Sequence, residues 1–136
     1  MRWVEYFRNL AHQVKLKSKD ERTQIGAIIV GKDKEIVSTG YNSFPRGLKD
    51  NKKSRQERPE KYYWFEHGER NAIYNAARIG VSTKGCTMYL SCGIPCVDCA
   101  RGIINSGITR IFCERGVTTK GTHWEENYNR SWDMLE

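Results

Sequence analysis

The chain has 136 residues, of which 38% are hydrophobic, 29% charged and 11% aromatic; this suits one ordinary domain and excludes disorder, collagen and a coiled-coil rod. No apolar run approaches the ~18 residues of a membrane span, and MRWVEYFRNL at the start lacks a signal peptide's apolar stretch, so the expected location is cytoplasmic (host cytoplasm if viral). The net charge of +7 is unevenly placed: residues 1–61 hold 15 Lys/Arg against 8 Asp/Glu, and residues 62–136 hold 8 against 8.

Residues 2–17 carry Trp3, Phe7, Leu10 and Val14 at spacings of three and four, which predicts an amphipathic helix ended by Ser18-Lys19-Asp20. Ile25–Val30 is a short β-branched run, Gly31–Lys34 a turn and Glu35–Tyr41 a second strand, together a hairpin. The unbroken apolar character of the first run predicts burial on both faces. From Asn42 to Lys61 the chain is polar and basic, with Pro45, Gly47 and Pro59, and reads as a long loop. His67–Ile79 turns helical, with Ala72, Ile73, Ala76 and Ala77 on the buried side and Gly80 as its stop. Cys86–Ser91 is a strand. Pro95 then suits the first position of a helix running to Ser106, with Gly107 as stop. Ile108–Cys113 is a fourth strand and His123–Leu135 a terminal helix, with Trp124, Tyr128 and Trp132 four apart. The order α-β-β-α-β-α-β-α predicts a single three-layer α/β/α domain over residues 1–136, with parallel members in a mixed central sheet flanked by helices.

Five cysteines stand at 86, 92, 96, 99 and 113. An odd number with one tight pair fits a reducing compartment and a metal better than a disulfide framework. His67-Gly68-Glu69 opens one helix and Pro95-Cys96-Val97-Asp98-Cys99 opens another. His67, Cys96 and Cys99 make a three-ligand zinc set that leaves the fourth tetrahedral position open, the outline of a catalytic site. Helix N-termini favour the thiolate form that binds zinc. Glu69, two positions past His67, lies near the metal without pointing at it, where a proton shuttle belongs. Cys86, Cys92 and Cys113 read as small buried hydrophobes, and His12 and His123 as structural or exposed. Trp3, Trp124 and Trp132 read as packing or interface residues. Tyr62, Tyr63, Trp64 and Phe65 fit a pocket wall and core packing equally.

His-x-Glu followed by Pro-Cys-x-x-Cys is the signature of zinc nucleobase deaminases, and the chain resembles the cytidine deaminase superfamily. Within it, Arg22–Val30, Gly40–Gly47, His67–Ile73 and Ser106–Ile108 look most like deoxycytidylate (dCMP) deaminases. The resemblance implies a cytidine deaminase-like fold and a zinc-dependent hydrolysis of dCMP to dUMP and ammonia, supplying thymidylate synthesis. Zinc would bring the pKa of water towards ~7, and Glu69 would carry a proton to N3 and to the departing amine. By the same resemblance Asn42 bonds the sugar hydroxyl, Gly26 and Ala27 flank the base, and Pro95 lies against the substrate. The backbone N–H of Gly68 contacts the pyrimidine, although the commoner residue there is alanine. Arg22 with Thr23 is the expected 5′-phosphate contact, since a guanidinium fork suits phosphate, and Arg46 is a further one. Arg78 falls eleven residues after His67, about three turns and roughly 16 Å along the helix. It suits an effector phosphate or a neighbouring subunit, and equally an ordinary surface salt bridge.

The resemblance further implies a homo-oligomer, hexamer favoured, under allosteric control by dCTP and dTTP with Mg²⁺ beside the nucleotide. Ser43 replaces a commonly seen glycine in the Gly-Tyr-Asn loop of the effector region. The basic first half keeps a second reading open, a deaminase editing tRNA or single-stranded DNA. A third is a non-catalytic zinc protein of the same fold, against which the intact Glu69 argues. The charge alone fits a solvated face as well as a ligand; the hairpin stretches favour the free nucleotide, with no membrane and no nucleic acid as partner.

Overall fold

The computed structural model describes residues 1–114 and 124–136. Helix α1 (Trp3–Val14) continues as a 3-10 turn over Lys15–Lys17. Strands β1 (Gly26–Val30) and β2 (Ile36–Tyr41) form the expected antiparallel hairpin, with a register shift between Ile29 and Val30. A short helix α2 (Lys61–Trp64), helix α3 (Gly68–Ile79), strand β3 (Thr87–Leu90), helix α4 (Val97–Asn105), strand β4 (Arg110–Phe112) and helix α5 (Glu125–Leu135) follow. The expected start of the last helix at His123 lies outside the described residues. None of the described helices is long and apolar enough to cross a membrane.

The sheet order is β2-β1-β3-β4, with β1 antiparallel to both neighbours and β3 parallel to β4. Among the described strands the only parallel neighbours are therefore β3 and β4, yet β2, β3 and β4 all run the same way, because α3 and α4 each carry the chain back across the sheet before the next strand. β1 is inserted between β2 and β3 in the opposite sense. The carboxyl ends of β2 and β3 consequently share one edge of the sheet with the amino end of β1, and α3 and α4 both start there. This is where α/β sheets place their ligands.

β1 is buried at every position because its two faces meet different layers. Ile28 and Val30 pack with Tyr89 against Phe7 and Ala11 of α1, whereas Ala27 and Ile29 pack with Met88, Leu90, Ala72 and Ile103 beneath α3 and α4. This is the three-layer α/β/α arrangement, with α5 packed on α4. α3 lies so close to β2 that a Cβ on Gly40 would stand 2.2 Å from the Ala72 nitrogen and 2.5 Å from the Gly68 carbonyl oxygen.

The basic loop is more ordered than its composition suggests. Ser43 and Glu66 close its base with two backbone hydrogen bonds of 3.1 and 2.8 Å. Between them lie a 3-10 turn at Lys53–Arg55 and helix α2. Phe44 packs on Phe65 with ring centroids 4.4 Å apart, so Phe65 serves the loop's own packing. Tyr62 and Tyr63 are exposed.

Candidate metal centre and active-site cleft

His67 caps α3 and Cys96 caps α4, both with extended backbone at the point where helix begins. The His67 N–H donates to Glu66 Oε1 at 2.9 Å, and Glu66 also pairs with Arg70 at 2.7 Å, which secures the start of α3. Asn71 Nδ2 donates to the Tyr41 carbonyl at 2.9 Å and ties that helix to the end of β2. As a result His67 Nδ1 lies 3.4 Å from Cys96 Sγ and 3.3 Å from Cys99 Sγ.

These three ligand atoms lie within 4.8 Å of one another, the only such group of three His, Cys, Asp or Glu residues among the described residues. One nitrogen and two sulfurs at this spacing fit zinc with an open fourth position. One of the two sulfurs is also electrically prepared. Hydrogen bonds from the Cys99 thiol and from His67 hold Cys96 down at about 4 despite its burial. Cys99 is correspondingly raised, chiefly because Cys96 takes the shared charge. The His67 ring is raised by its bond to Cys96. Cys86, Cys92 and Cys113 are free thiols whose pKa burial raises, and they sit in or against the core under α3 and α4.

Glu69, in the first turn of α3, is 3% exposed, and burial pushes its carboxyl above the usual range. Its Oε1 has no hydrogen-bond partner. A buried carboxylate oxygen left unpaired is costly, and at this position it is available to a reacting molecule. The cleft lined by Glu69, His67 and Cys96 measures about 340 Å³. Thr23 and Ile25 before β1, Cys92 after β3, and Tyr128 and Trp132 of α5 wall it. Burial pushes the Tyr128 phenol up to about 12, so it faces the cleft as a neutral hydroxyl.

The structure brings some of the expected contacts to this cleft and not others. Thr23 lines it, and Arg22 beside it is exposed, its backbone N–H bound to Asp20 Oδ1 at 2.9 Å. Gly26 and Ala27 are not in the lining. A Cβ on Gly26 would meet the Ala11 carbonyl at 2.1 Å, so its smallness serves α1, and Ala27 is wholly buried in the core. Ile25 occupies the corresponding wall. Asn42 is 5% exposed and its amide is engaged by the protein: Oδ1 accepts from Ile25 N at 2.8 Å and Nδ2 donates to Thr23 O at 2.7 Å. It braces the backbone on either side of Gln24.

Gly68 is buried at the start of α3, where a Cβ would approach the Ile25 carbonyl to 3.0 Å, so glycine here relieves a contact that alanine would tighten. Pro95 is fully buried. Arg46 and Arg78 lie outside the cleft. Arg46 borders a second cavity of about 200 Å³ that Lys17, Lys19, Asn71 and Asn75 also line, and with Arg78 it edges a shallow surface depression.

Residues that the sequence reading passed over hold the site in place. Asp20 Oδ1 accepts from the backbone N–H of both Arg22 and Thr23, at 2.9 and 3.1 Å. Lys61, from the basic loop, completes the group, its Nζ 3.0 Å from Oδ1 and 2.8 Å from Oδ2 of Asp20. Although burial opposes it, the Lys61 ammonium and these N–H groups hold the Asp20 carboxyl below the usual range. Asp-x-Arg-Thr, a side chain capping its own backbone two and three residues on, was the available signal.

Residues 1–115 match the family model for the cytidine and deoxycytidylate deaminase zinc-binding region. An uncharacterised deaminase of the luxG 3′ region of Aliivibrio fischeri is 36% identical over 134 residues, 98% of this chain and 87% of that protein. Human deoxycytidylate deaminase is 36% identical over 116 residues, 82% of this chain, and the match spans 64% of the human protein's length. Among solved structures, apo dCMP deaminase from the cyanophage S-TIM5 superposes with a TM-score of 0.69 at 26% identity, covering 82% of this chain and 81% of that one. With its ligand set at the two helix starts and its buried glutamate beside them, the chain belongs to the cytidine and deoxycytidylate deaminase family.

Proposed function

We propose that this chain hydrolyses dCMP to dUMP and ammonia, residues 1–136 acting as one deaminase domain. The observation that carries the reading is the unpaired, buried Oε1 of Glu69 in a cleft beside His67, Cys96 and Cys99. These three residues would hold zinc, which supplies Lewis acidity that makes water nucleophilic near neutral pH. Glu69 accepts a proton from the water that adds to C4 and delivers it to N3. It then relays the second proton to the C4 amine, which leaves as ammonia while the C4 carbonyl forms. The base would fit against Ile25 and Cys92, which wall the cleft, with the backbone N–H of Gly68, next to His67, as its partner. Thr23 lines the cleft, and Arg22, exposed and next to it in the chain, suits a 5′-phosphate.

The finer assignments follow from the same reading. Lys17, Lys19 and Arg46 around the second cavity suit the phosphates of a dCTP or dTTP effector with Mg²⁺, and Arg78 extends that basic border. A homo-oligomer, hexamer favoured, is the assembly we propose.

Ammonia release from dCMP, CMP, deoxycytidine, dCTP and adenine-containing RNA tests the substrate; turnover of deoxycytidine as fast as dCMP would exclude the phosphate assignment, and so would intact dCMP turnover in Arg22→Ala. Glu69→Ala should retain zinc and lose activity by about 10²–10⁴-fold, the range for general acid–base catalysis. Near-normal turnover in that variant would remove Glu69 from the reaction.

A further inference from the structure

The loop between β3 and α4 carries Cys96 and the first turn of α4 carries Cys99, and what holds their junction comes from beyond residue 115, where the family match ends. Val97 is the first residue of α4, so its N–H has no partner within the helix. It donates to Asn127 Oδ1 of α5 at 3.0 Å. On the other side of Cys96, the Pro95 carbonyl accepts a hydrogen bond of 2.5 Å from Ser131 Oγ. Ser131 has no exposed surface, so that hydroxyl is spent on this one contact. Asn127 and Ser131 are four residues apart and therefore share a face of α5. Their two bonds straddle Cys96 and bind the backbone immediately before and after it. From the same helix Tyr128 and Trp132 wall the cleft.

We propose that Asn127 and Ser131 are positioning residues for the metal centre: α5 clamps the Pro95–Val97 backbone and thereby sets the direction of the Cys96 thiolate. The inference rests on the metal reading of His67, Cys96 and Cys99. Cys99 depends on the clamp through Cys96, because its N–H donates to Cys96 Sγ at 3.5 Å. Without the clamp the cap of α4 and both sulfurs lose their fixed relation to His67 on α3. Outer partners of metal ligands are worth about 10–100-fold in metal affinity where they have been removed.

The test uses the full chain loaded with Co²⁺, whose thiolate charge-transfer bands report both sulfurs, with affinity measured by chelator competition. Asn127→Ala and Ser131→Ala should each lose metal affinity by about 10–100-fold. Asn127→Asp keeps an acceptor for the Val97 N–H and should stay within a few-fold of the parent. Arg130→Ala, on the exposed side of α5, should match the parent. Far-UV circular dichroism of each metal-free variant reports folding, and if Asn127→Ala does not fold, Ser131→Ala and Asn127→Asp decide alone. Affinities of Ser131→Ala and Asn127→Ala within twofold of the parent would overturn the clamp while leaving the metal reading intact. So would an Asn127→Asp as weak as the alanine variant. Absence of thiolate bands in the parent would remove the metal reading and the clamp together.

Discussion

Replacing Lys61 by methionine keeps most of the side-chain volume and deletes the ammonium that faces Asp20. Lys61 and Asp20 are 7% and 6% exposed, so water cannot take the place of the lost partner without opening the loop. Removing one member of a buried pair costs about 3–5 kcal/mol, because the other charge remains buried. Asp20 would still accept from the Arg22 and Thr23 N–H groups and, at 3.4 Å, from Asn42 Nδ2, which places the expected loss near the lower end, about 3 kcal/mol. Small domains lose ~1–3 kcal/mol per molar urea, so the unfolding midpoint should fall by roughly 1–3 M. Urea titration at pH 7, followed by tryptophan fluorescence and circular dichroism, measures it. Lys61→Met combined with Asp20→Asn should cost less than the two single losses added, since the stranded charge is gone. A loss in Lys61→Met below ~1 kcal/mol, the value of an exposed pair, would refute the buried clamp.

Acid stability should report the same carboxylate. The folded pKa of Asp20 is depressed, so its contribution is complete above the unfolded value of ~3.9 and is lost as pH falls through the lower folded pKa; in Asp20→Asn the urea midpoint should depend less on pH in that window. Gly40→Ala would drive a methyl group into the backbone of α3 at Ala72 and Gly68, and overpacking of this kind costs about 1–3 kcal/mol, read as a lower thermal midpoint. Chelation should also lower that midpoint, and added zinc should restore it: a ligand at 1,000 times its Kd stabilises by about 4 kcal/mol.

The chemistry of the site was legible because its residues announce themselves by type and by position. His67, Cys96 and Cys99 sit at helix starts that Pro95 and the alanine-rich face of α3 make readable, and Glu69 follows by two. The sheet was legible in outline: the β-branched run of β1 and the Gly-Lys-Asp-Lys turn give the hairpin. Charge is where the reading fails. Lys61 sits among many cations of the basic loop, and nothing local separates the one that turns inward to Asp20, 41 residues earlier, from those in solvent. The resemblance implies a sugar contact for Asn42, and the structure adds what no spacing announces, that its amide also binds the backbone of Ile25 and Thr23. Gly26 is small because α1 approaches it, and Ala27 because it packs beneath α3, contacts between distant segments that no local pattern reveals. The apolar spacing of α5 announced an amphipathic helix, but Asn127 and Ser131 are ordinary polar residues until α4 is placed beside them.

The central position of β1 has a bearing on how this protein fails as well as how it works. Ala27-Ile28-Ile29-Val30 is uncharged, β-branched and free of proline, the composition that builds intermolecular β-structure. In the native sheet both of its edges are taken, by β2 and by β3; of the two outer strands among the described residues, β2 has six residues and β4 only three, about 10 Å of strand and a poor template for a second chain. Safety from aggregation therefore depends on β2 staying paired. Substitutions that loosen that strand, Gly40→Ala among them, should turn reversible unfolding into precipitation at concentrations the parent tolerates.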